Sequence, residues 1–152
     1  MSDFTSREGG CRCGRVRFRI TAPPLISMAC HCRGCQRMTA SAFSLSIAVP
    51  AGALEILAGE TVAGGAQDGR VPYHHHHCGW CKSWLYTQPP AEMGFVNVRT
   101  TMLDDPSGLD PFVETQTAEK LTWAQTGAPH SFERFPPMDA FGPLVAEYQA
   151  RI

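Results

Sequence analysis

The chain has 152 residues, 43% of them hydrophobic and 18% charged, enough apolar surface to fold alone as one domain. No apolar run approaches the ~20 residues of a membrane span, and the N-terminal MSDFTSREGG lacks the apolar core of a signal peptide, so no membrane partner is expected and the cytoplasm is the expected compartment. A formal net charge of −1 argues against general nucleic-acid binding.

That average hides an asymmetry. Residues 1–40 carry Arg7, Arg12, Arg15, Arg17, Arg19, Arg33 and Arg37 against only Asp3 and Glu8, a local balance of +5, so the remaining residues sum to −6. Arg15, Arg17 and Arg19 belong to an alternating stretch, RVRFRI from Arg15 to Ile20, which places Val16, Phe18 and Ile20 on one face and the arginines on a solvated one. Further strands are expected at Ser44–Val49, Leu54–Leu57, Ser83–Thr87, Phe95–Val98 and Phe112–Thr115, separated by Gly, Pro and Asp turn signals.

Helix is scarce. Short helices are expected at Arg33–Thr39, Ala118–Ala124 and Pro143–Arg151, the last with Pro143 at its first position. The stretch Gly64-Gly65-Ala66-Gln67-Asp68-Gly69 reads as a loop tip. The pattern is mainly β, in one domain without internal repeats.

Seven cysteines is an odd number, and in a reducing compartment clustered thiols point to metal rather than disulfides. They form Cys11-x-Cys13, Cys30-x-Cys32-x-x-Cys35 and Cys78-x-x-Cys81, and no cysteine lies outside these groups. In an extended segment residues i and i+2 point the same way, so Cys11 and Cys13 can bite one ion from a strand end, with Gly14 free to turn. Cys78-Gly79-Trp80-Cys81 would supply a second pair as a knuckle and close a four-thiolate site, leaving Cys30, Cys32 and Cys35 as three ligands with an open position. Spacing alone equally permits Cys32-x-x-Cys35 and Cys78-x-x-Cys81 to form a zinc-ribbon-like site, with Cys11, Cys13 and Cys30 employed elsewhere.

The order of GGCRCGRVRF, ACHCRGCQRMTASAF, LAGE, HHHHCGWCKSWLYT, LDDPSGLDP and LTW resembles the family of glutathione-dependent formaldehyde-activating enzymes through most of the chain. The resemblance implies one zinc-binding domain over residues 1–152, built of small coiled antiparallel sheets, often described as a β-tent. It implies two zinc ions: a structural one on Cys11, Cys13, Cys78 and Cys81, and an active-centre one on Cys30, Cys32 and Cys35, the open site from which metal can be lost. The activity implied is that of a carbon–sulfur lyase joining a small thiol, glutathione, to an aldehyde such as formaldehyde, with S-(hydroxymethyl)glutathione as product. Arg33 and Arg37, beside Cys35 in the sequence, are candidates for receiving the thiol's carboxylates.

Departures from the family pattern matter as well. The family usually carries an aromatic residue before the last C-x-x-C and Gly after it, where this chain has His77 and Lys82. It also usually carries a histidine near the segment Pro111-Phe112-Val113-Glu114, so Glu114 stands as a replacement for an active-site residue. Two other readings follow. One is the same chemistry on a different thiol; the other is a zinc-stabilised β scaffold that binds a partner without catalysis, as in tent-like zinc proteins that include a centromere-associated one.

The four histidines His74, His75, His76 and His77 lie inside the sequence and are not a terminal tag. If extended, His75 and His77 share one face and His74 and His76 the other, as polar strand residues or with one of them lining the pocket as a proton shuttle. His31 is flanked by two candidate ligands and points away from their metal, in a supporting or surface position. Ser41 and Phe43 are expected at the pocket floor or in packing, and Trp80, Trp84 and Trp123 in the core or the pocket wall. Asp104 and Asp105 read as turn residues before Pro106.

Overall fold

The computed structural model describes residues 4–64 and 74–152; beyond Gly64, the expected loop tip falls outside the described residues. In chain order the elements are β1 (Arg7–Gly10), β2 (Arg17–Ile20), β3 (Ile26–Cys30), α1 (Arg33–Thr39), β4 (Ser44–Pro50), β5 (Leu54–Ala58), β6 (Thr61–Gly64), β7 (His74–Cys78), β8 (Trp84–Gln88), β9 (Phe95–Arg99), β10 (Val113–Thr115), β11 (His130–Ser131) and α2 (Met138–Gln149). The protein is mainly β, with two α-helices among the described residues. It divides into two compact units, each built from two stretches of chain.

The first unit takes residues up to Pro24 and Ala48–Pro106. Strands β1, β2 and β5 form an antiparallel sheet with β2 central, pairing Gly9 with Phe18 and Phe18 with Ile56. The alternation of β2 has the expected effect. Phe18 and Ile20 are buried, as is Val16 just before the strand, while Arg17 and Arg19 reach outward to Asp104 and Glu8. The strand starts at Arg17 rather than Arg15 because Cys13, Gly14 and Arg15 are spent on a turn. Strands β6 to β9 form an antiparallel meander in chain order, packed through Leu85, Val96 and Val98.

The second unit takes Leu25–Ile47 and Ser107–Ile152. Here β10 runs parallel to both β3 and β11, with Val113 opposite Met28 and Thr115 opposite Cys30. The strand β3, ISMAC, shows no alternation because three of its five residues, including the adjacent pair Ile26 and Ser27, are buried, so period-two reasoning passes over it. Its polar side chain is satisfied: Ser27 Oγ donates to the Leu109 carbonyl at 2.9 Å. The helix α2 packs on β3 and buries Leu144 and Tyr148, four residues apart on one face.

Two expected helices are corrected. No helix forms over Ala118–Ala124; a single 3-10 turn spans Thr117–Glu119 instead. Gln116 takes a left-handed φ of 57°, and the N–H groups of Gln116, Thr117 and Ala118 donate to the carbonyls of Arg134, Phe132 and Glu133. The segment's first donors are therefore spent on a neighbouring strand-like stretch. The C-terminal helix runs over Met138–Gln149 rather than Pro143–Arg151, entered from Pro137, and Pro143 lies inside it. An interior proline forgoes one helical hydrogen bond and strains the preceding turn, costing about 3 kcal/mol, which burial of Leu144 and Tyr148 offsets.

Candidate metal centres

The first unit brings the outer cysteine pairs together. The strand β1 ends at Gly10, and Cys11 to Gly14 form a tight turn, with the Gly14 N–H donating to the Cys11 carbonyl at 3.0 Å and Gly14 at φ 80°. Cys11 and Cys13 therefore converge from a turn and not from extended backbone. Cys78 is the last residue of β7, and the chain turns through Gly79 and Trp80 to Cys81. Lys82 closes this knuckle at φ 61°, its N–H donating to the Cys78 carbonyl at 3.1 Å and its Nζ to the Gly79 carbonyl at 2.7 Å. A left-handed φ of this kind favours glycine.

All four sulfur atoms lie within 4.8 Å of one another, with Cys11 3.5 Å from Cys13 and Cys13 3.8 Å from Cys78. A metal held tetrahedrally by thiolates at ~2.3 Å requires sulfur–sulfur edges of about 3.8 Å. Backbone N–H groups also point at the sulfurs, Val16 at Cys11 (3.3 Å) and Trp80 at Cys78 (3.4 Å); burial pushes the Cys11 thiol up, but the Val16 N–H and its thiol neighbours bring it below the usual value. Burial works against ionisation of Cys81, yet hydrogen bonds from Ser83 outweigh it and bring that thiol down to about 5.

In the second unit Cys30, Cys32 and Cys35 form a separate group within the same 4.8 Å limit. This membership matches the first of the two divisions that spacing left open. Cys30 ends β3, Cys32 caps the N-terminus of α1 with its sulfur accepting the Cys35 N–H at 3.2 Å, and Cys35 lies in the first turn of that helix. Hydrogen bonds from Cys30 and Cys35 pull the Cys32 thiol down, and the same contacts push Cys30 and Cys35 up. Both clusters are composed of soft donors and could hold metal ions.

His31 is neither at the surface nor close to solvent; its ring is fully buried, edge-on to Phe43 at 5.3 Å. Its Nε2 lies 2.8 Å from Oε2 of Glu114. That carboxylate also accepts hydrogen bonds from Thr126 (2.8 Å), Ser131 (2.9 Å) and Lys120 (3.3 Å). Burial pushes the Glu114 carboxyl up, but hydrogen bonds from Thr126, His31, Ser131 and Lys120 outweigh it and hold the group at about 2. Gln36 joins this arrangement, its Nε2 donating to the carbonyls of His31 (2.7 Å) and Glu119 (3.0 Å). Sequence reasoning missed Gln36, Lys120, Thr126 and Ser131: the last three lie 6, 12 and 17 positions from Glu114 and Gln36 lies 83 from Glu119, and none of these separations follows a helical or strand period that would mark the pair.

Arg33, Gln36, Arg37 and Ala40 line an open cavity of about 520 Å3 together with Ser41, Ala42, Leu121 and Trp123. Arg33, Gln36 and Arg37 share one face of α1, and Ala40 caps its C-terminus. At 3.6 residues per turn Cys35 lies about 200° round the helix from Arg33, so the arginines that flank Cys35 in sequence occupy a different face from its thiol. Trp123 is 71% exposed at the cavity wall. Trp80 is also exposed, under the Arg15 guanidinium at 3.9 Å, whereas Trp84 is buried beneath Arg99 at 3.8 Å.

The four histidines form most of β7, paired with β6 and β8. His75 bonds to Thr87 Oγ1 at 2.8 Å and meets Trp84 edge-on, and His76 stacks on Tyr86 at 4.5 Å. Asp104 is more than a turn residue, since it pairs with Arg17, whose Nη1 donates to Oδ1 at 2.9 Å. The backbone carbonyl of Asp105 accepts from Arg7 at 3.1 Å.

Comparison with known proteins adds the following. The family model described as "Glutathione-dependent formaldehyde-activating enzyme" matches residues 6–119. Among solved structures, a Rhodobacter sphaeroides protein is similar to 64% of this chain and 87% of its own, at 19% identity and a TM-score of 0.52. That likeness concerns the fold alone. No curated protein matches the chain.

Proposed function

Because the chain belongs to the glutathione-dependent formaldehyde-activating enzyme family, we propose that it is a zinc-dependent carbon–sulfur lyase-type enzyme joining a small thiol, glutathione or a relative, to an aldehyde such as formaldehyde. The observation that carries this reading is the count of thiols in the second cluster: three sulfurs converge where a closed site takes four. We read Cys11, Cys13, Cys78 and Cys81 as ligands of a structural zinc, and Cys30, Cys32 and Cys35 as ligands of a zinc with one position left open. Zinc bound there supplies positive charge that lowers the pKa of an incoming thiol and makes it nucleophilic near neutrality.

In the bond-forming step the substrate sulfur joins the carbonyl carbon, the carbonyl π pair moves to oxygen, and oxygen takes up a proton. The reverse step breaks the carbon–sulfur bond. The chain's own contribution is to hold the three thiols in register and to present Arg33 and Arg37, in the cavity on α1, to the thiol's carboxylates. All seven cysteines are free of disulfides, as thiols available to metal are, and among the described residues no helix is long and apolar enough to cross a membrane.

A second reading keeps the chemistry and changes the thiol. Glu114, near which the family usually carries a histidine, has its oxygens engaged by four side chains, and this favours a substrate other than glutathione itself. Formaldehyde consumption by the zinc-loaded protein, followed with glutathione, cysteine and cysteamine in turn, tests both readings. Consumption with glutathione supports the first and consumption only with another thiol the second, while none with any thiol leaves the non-catalytic scaffold.

A further inference from the structure

His31 is the middle residue of Cys30-His31-Cys32, and its anchoring has a direct effect on the two thiols. Side chains alternate along extended backbone, so a ring directed one way leaves both neighbouring sulfurs on the other side. The anchoring is extensive: the His31 N–H donates to the Thr115 carbonyl at 3.0 Å, its carbonyl accepts from Gln36 at 2.7 Å, and Nε2 meets Glu114 at 2.8 Å. Among the polar atoms of His31 only Nδ1 lacks a hydrogen-bond partner. A carboxylate can only accept, so Nε2 carries the hydrogen and the ring's tautomer is set.

Glu114 is itself fixed independently of His31. Thr126, Ser131 and Lys120 hold its two oxygens, and β10 places it opposite Ala29, one residue before Cys30. Gln36 then links the same histidine to α1, the helix that carries Cys35. All three thiols are therefore referred to one buried imidazole, two through the chain and one through Gln36. A buried polar pair of this kind is not needed for stability alone, since an apolar pair of the same volume serves as well.

We propose that Glu114 is a positioning residue which, by clamping His31, sets the spacing of Cys30, Cys32 and Cys35 and thereby the metal affinity of that cluster. This rests on the reading of the three thiols as a metal site. Without the carboxylate the ring is free to turn, the alternation between the two neighbouring thiols slackens, and the ordering cost falls on metal binding. The expected loss is tenfold to hundredfold in affinity, the usual effect of removing a group that orients a ligand set. The cluster of Cys11, Cys13, Cys78 and Cys81 contains none of these residues, and its affinity stays as it is.

The test is titration of the full reduced chain with Co2+ and then Zn2+ against a chromophoric chelator, with sulfur-to-cobalt charge-transfer bands reporting each cluster. In the parent, two equivalents with thiolate bands are expected. In Glu114→Leu the weaker equivalent should lose tenfold to hundredfold while the tighter one is unchanged, and Glu114→Gln, whose amide oxygen can still accept from His31, should recover part of the loss. If Glu114→Leu does not fold, His31→Gln is read in the same way. Parallel weakening of both equivalents, or affinity within threefold of the parent, overturns the positioning role. A parent that takes up one equivalent only overturns the metal-site reading and the proposal with it.

Discussion

The sulfur of Cys13 lies 3.8 Å from that of Cys78, 65 residues further along the chain. The turn after β1 and the knuckle after β7 also touch through the Arg12 N–H, which donates to Ser83 Oγ at 3.1 Å, and through Arg15 over Trp80, but four thiolates on one ion would tie them far more tightly, so metal binding there contributes directly to folding, by roughly 10–16 kcal/mol in small zinc modules. Cys78→Ser and Cys81→Ser should each abolish soluble folding, read by circular dichroism and metal analysis of the reduced protein. Cys32→Ser should remain folded and lose one metal. Loss of all metal and all structure in Cys32→Ser would reverse the assignment of the two clusters.

Lys82 holds the knuckle closed at a φ of 61°, in a region that costs an L-residue about 1 kcal/mol. Its Nζ returns an exposed hydrogen bond to Gly79, which offsets little. Lys82→Gly should therefore stabilise the protein by about 0.5–1 kcal/mol, seen as a raised urea midpoint at unchanged m-value. An unchanged or lowered midpoint would show that the side-chain bond outweighs the backbone strain.

Gly59 presents the opposite case. It sits at φ 78°, and a Cβ there would lie 2.3 Å from the Arg15 carbonyl oxygen and 3.0 Å from the Val16 Cα. Those are backbone atoms of the segment leading into β2, so they cannot swing aside. Gly59→Ala should cost about 3 kcal/mol in chemical denaturation, whereas Gly52→Ala, with nothing within 4 Å of its Cβ, should change stability by under about 1 kcal/mol. Equal effects at the two positions would contradict the close approach at Gly59.

Replacing Arg33 and Arg37 together with Gln should leave both metals bound and weaken glutathione. At about 1 kcal/mol per charge-assisted contact the loss is tenfold to hundredfold, and added salt should mimic part of it because both side chains are exposed. Calorimetric titration with glutathione and with cysteamine, which carries no carboxylate, measures this. If the double variant binds glutathione as tightly as the parent, the arginines are a solvated face of α1 and nothing more.

Short-range chemistry in the sequence was sufficient for much of this protein. The alternation of Val16, Phe18 and Ile20 marks β2, and the short helix expected at Arg33–Thr39 forms there. The three groups of cysteines name the donors of both clusters before any fold is known, because metal-ligand spacing, like strand period, is written within a few residues. Only the tertiary structure decided how those groups combine, because Cys13 and Cys78 meet through strand pairing and not through local geometry. It also decided that His31 is buried against Glu114 across 83 positions, that Trp80 and Trp123 stand exposed, and that Pro143 lies inside α2. In each case the deciding term is packing between segments distant in sequence: it outweighs a local preference of 1–3 kcal/mol, and no window of neighbouring residues contains it.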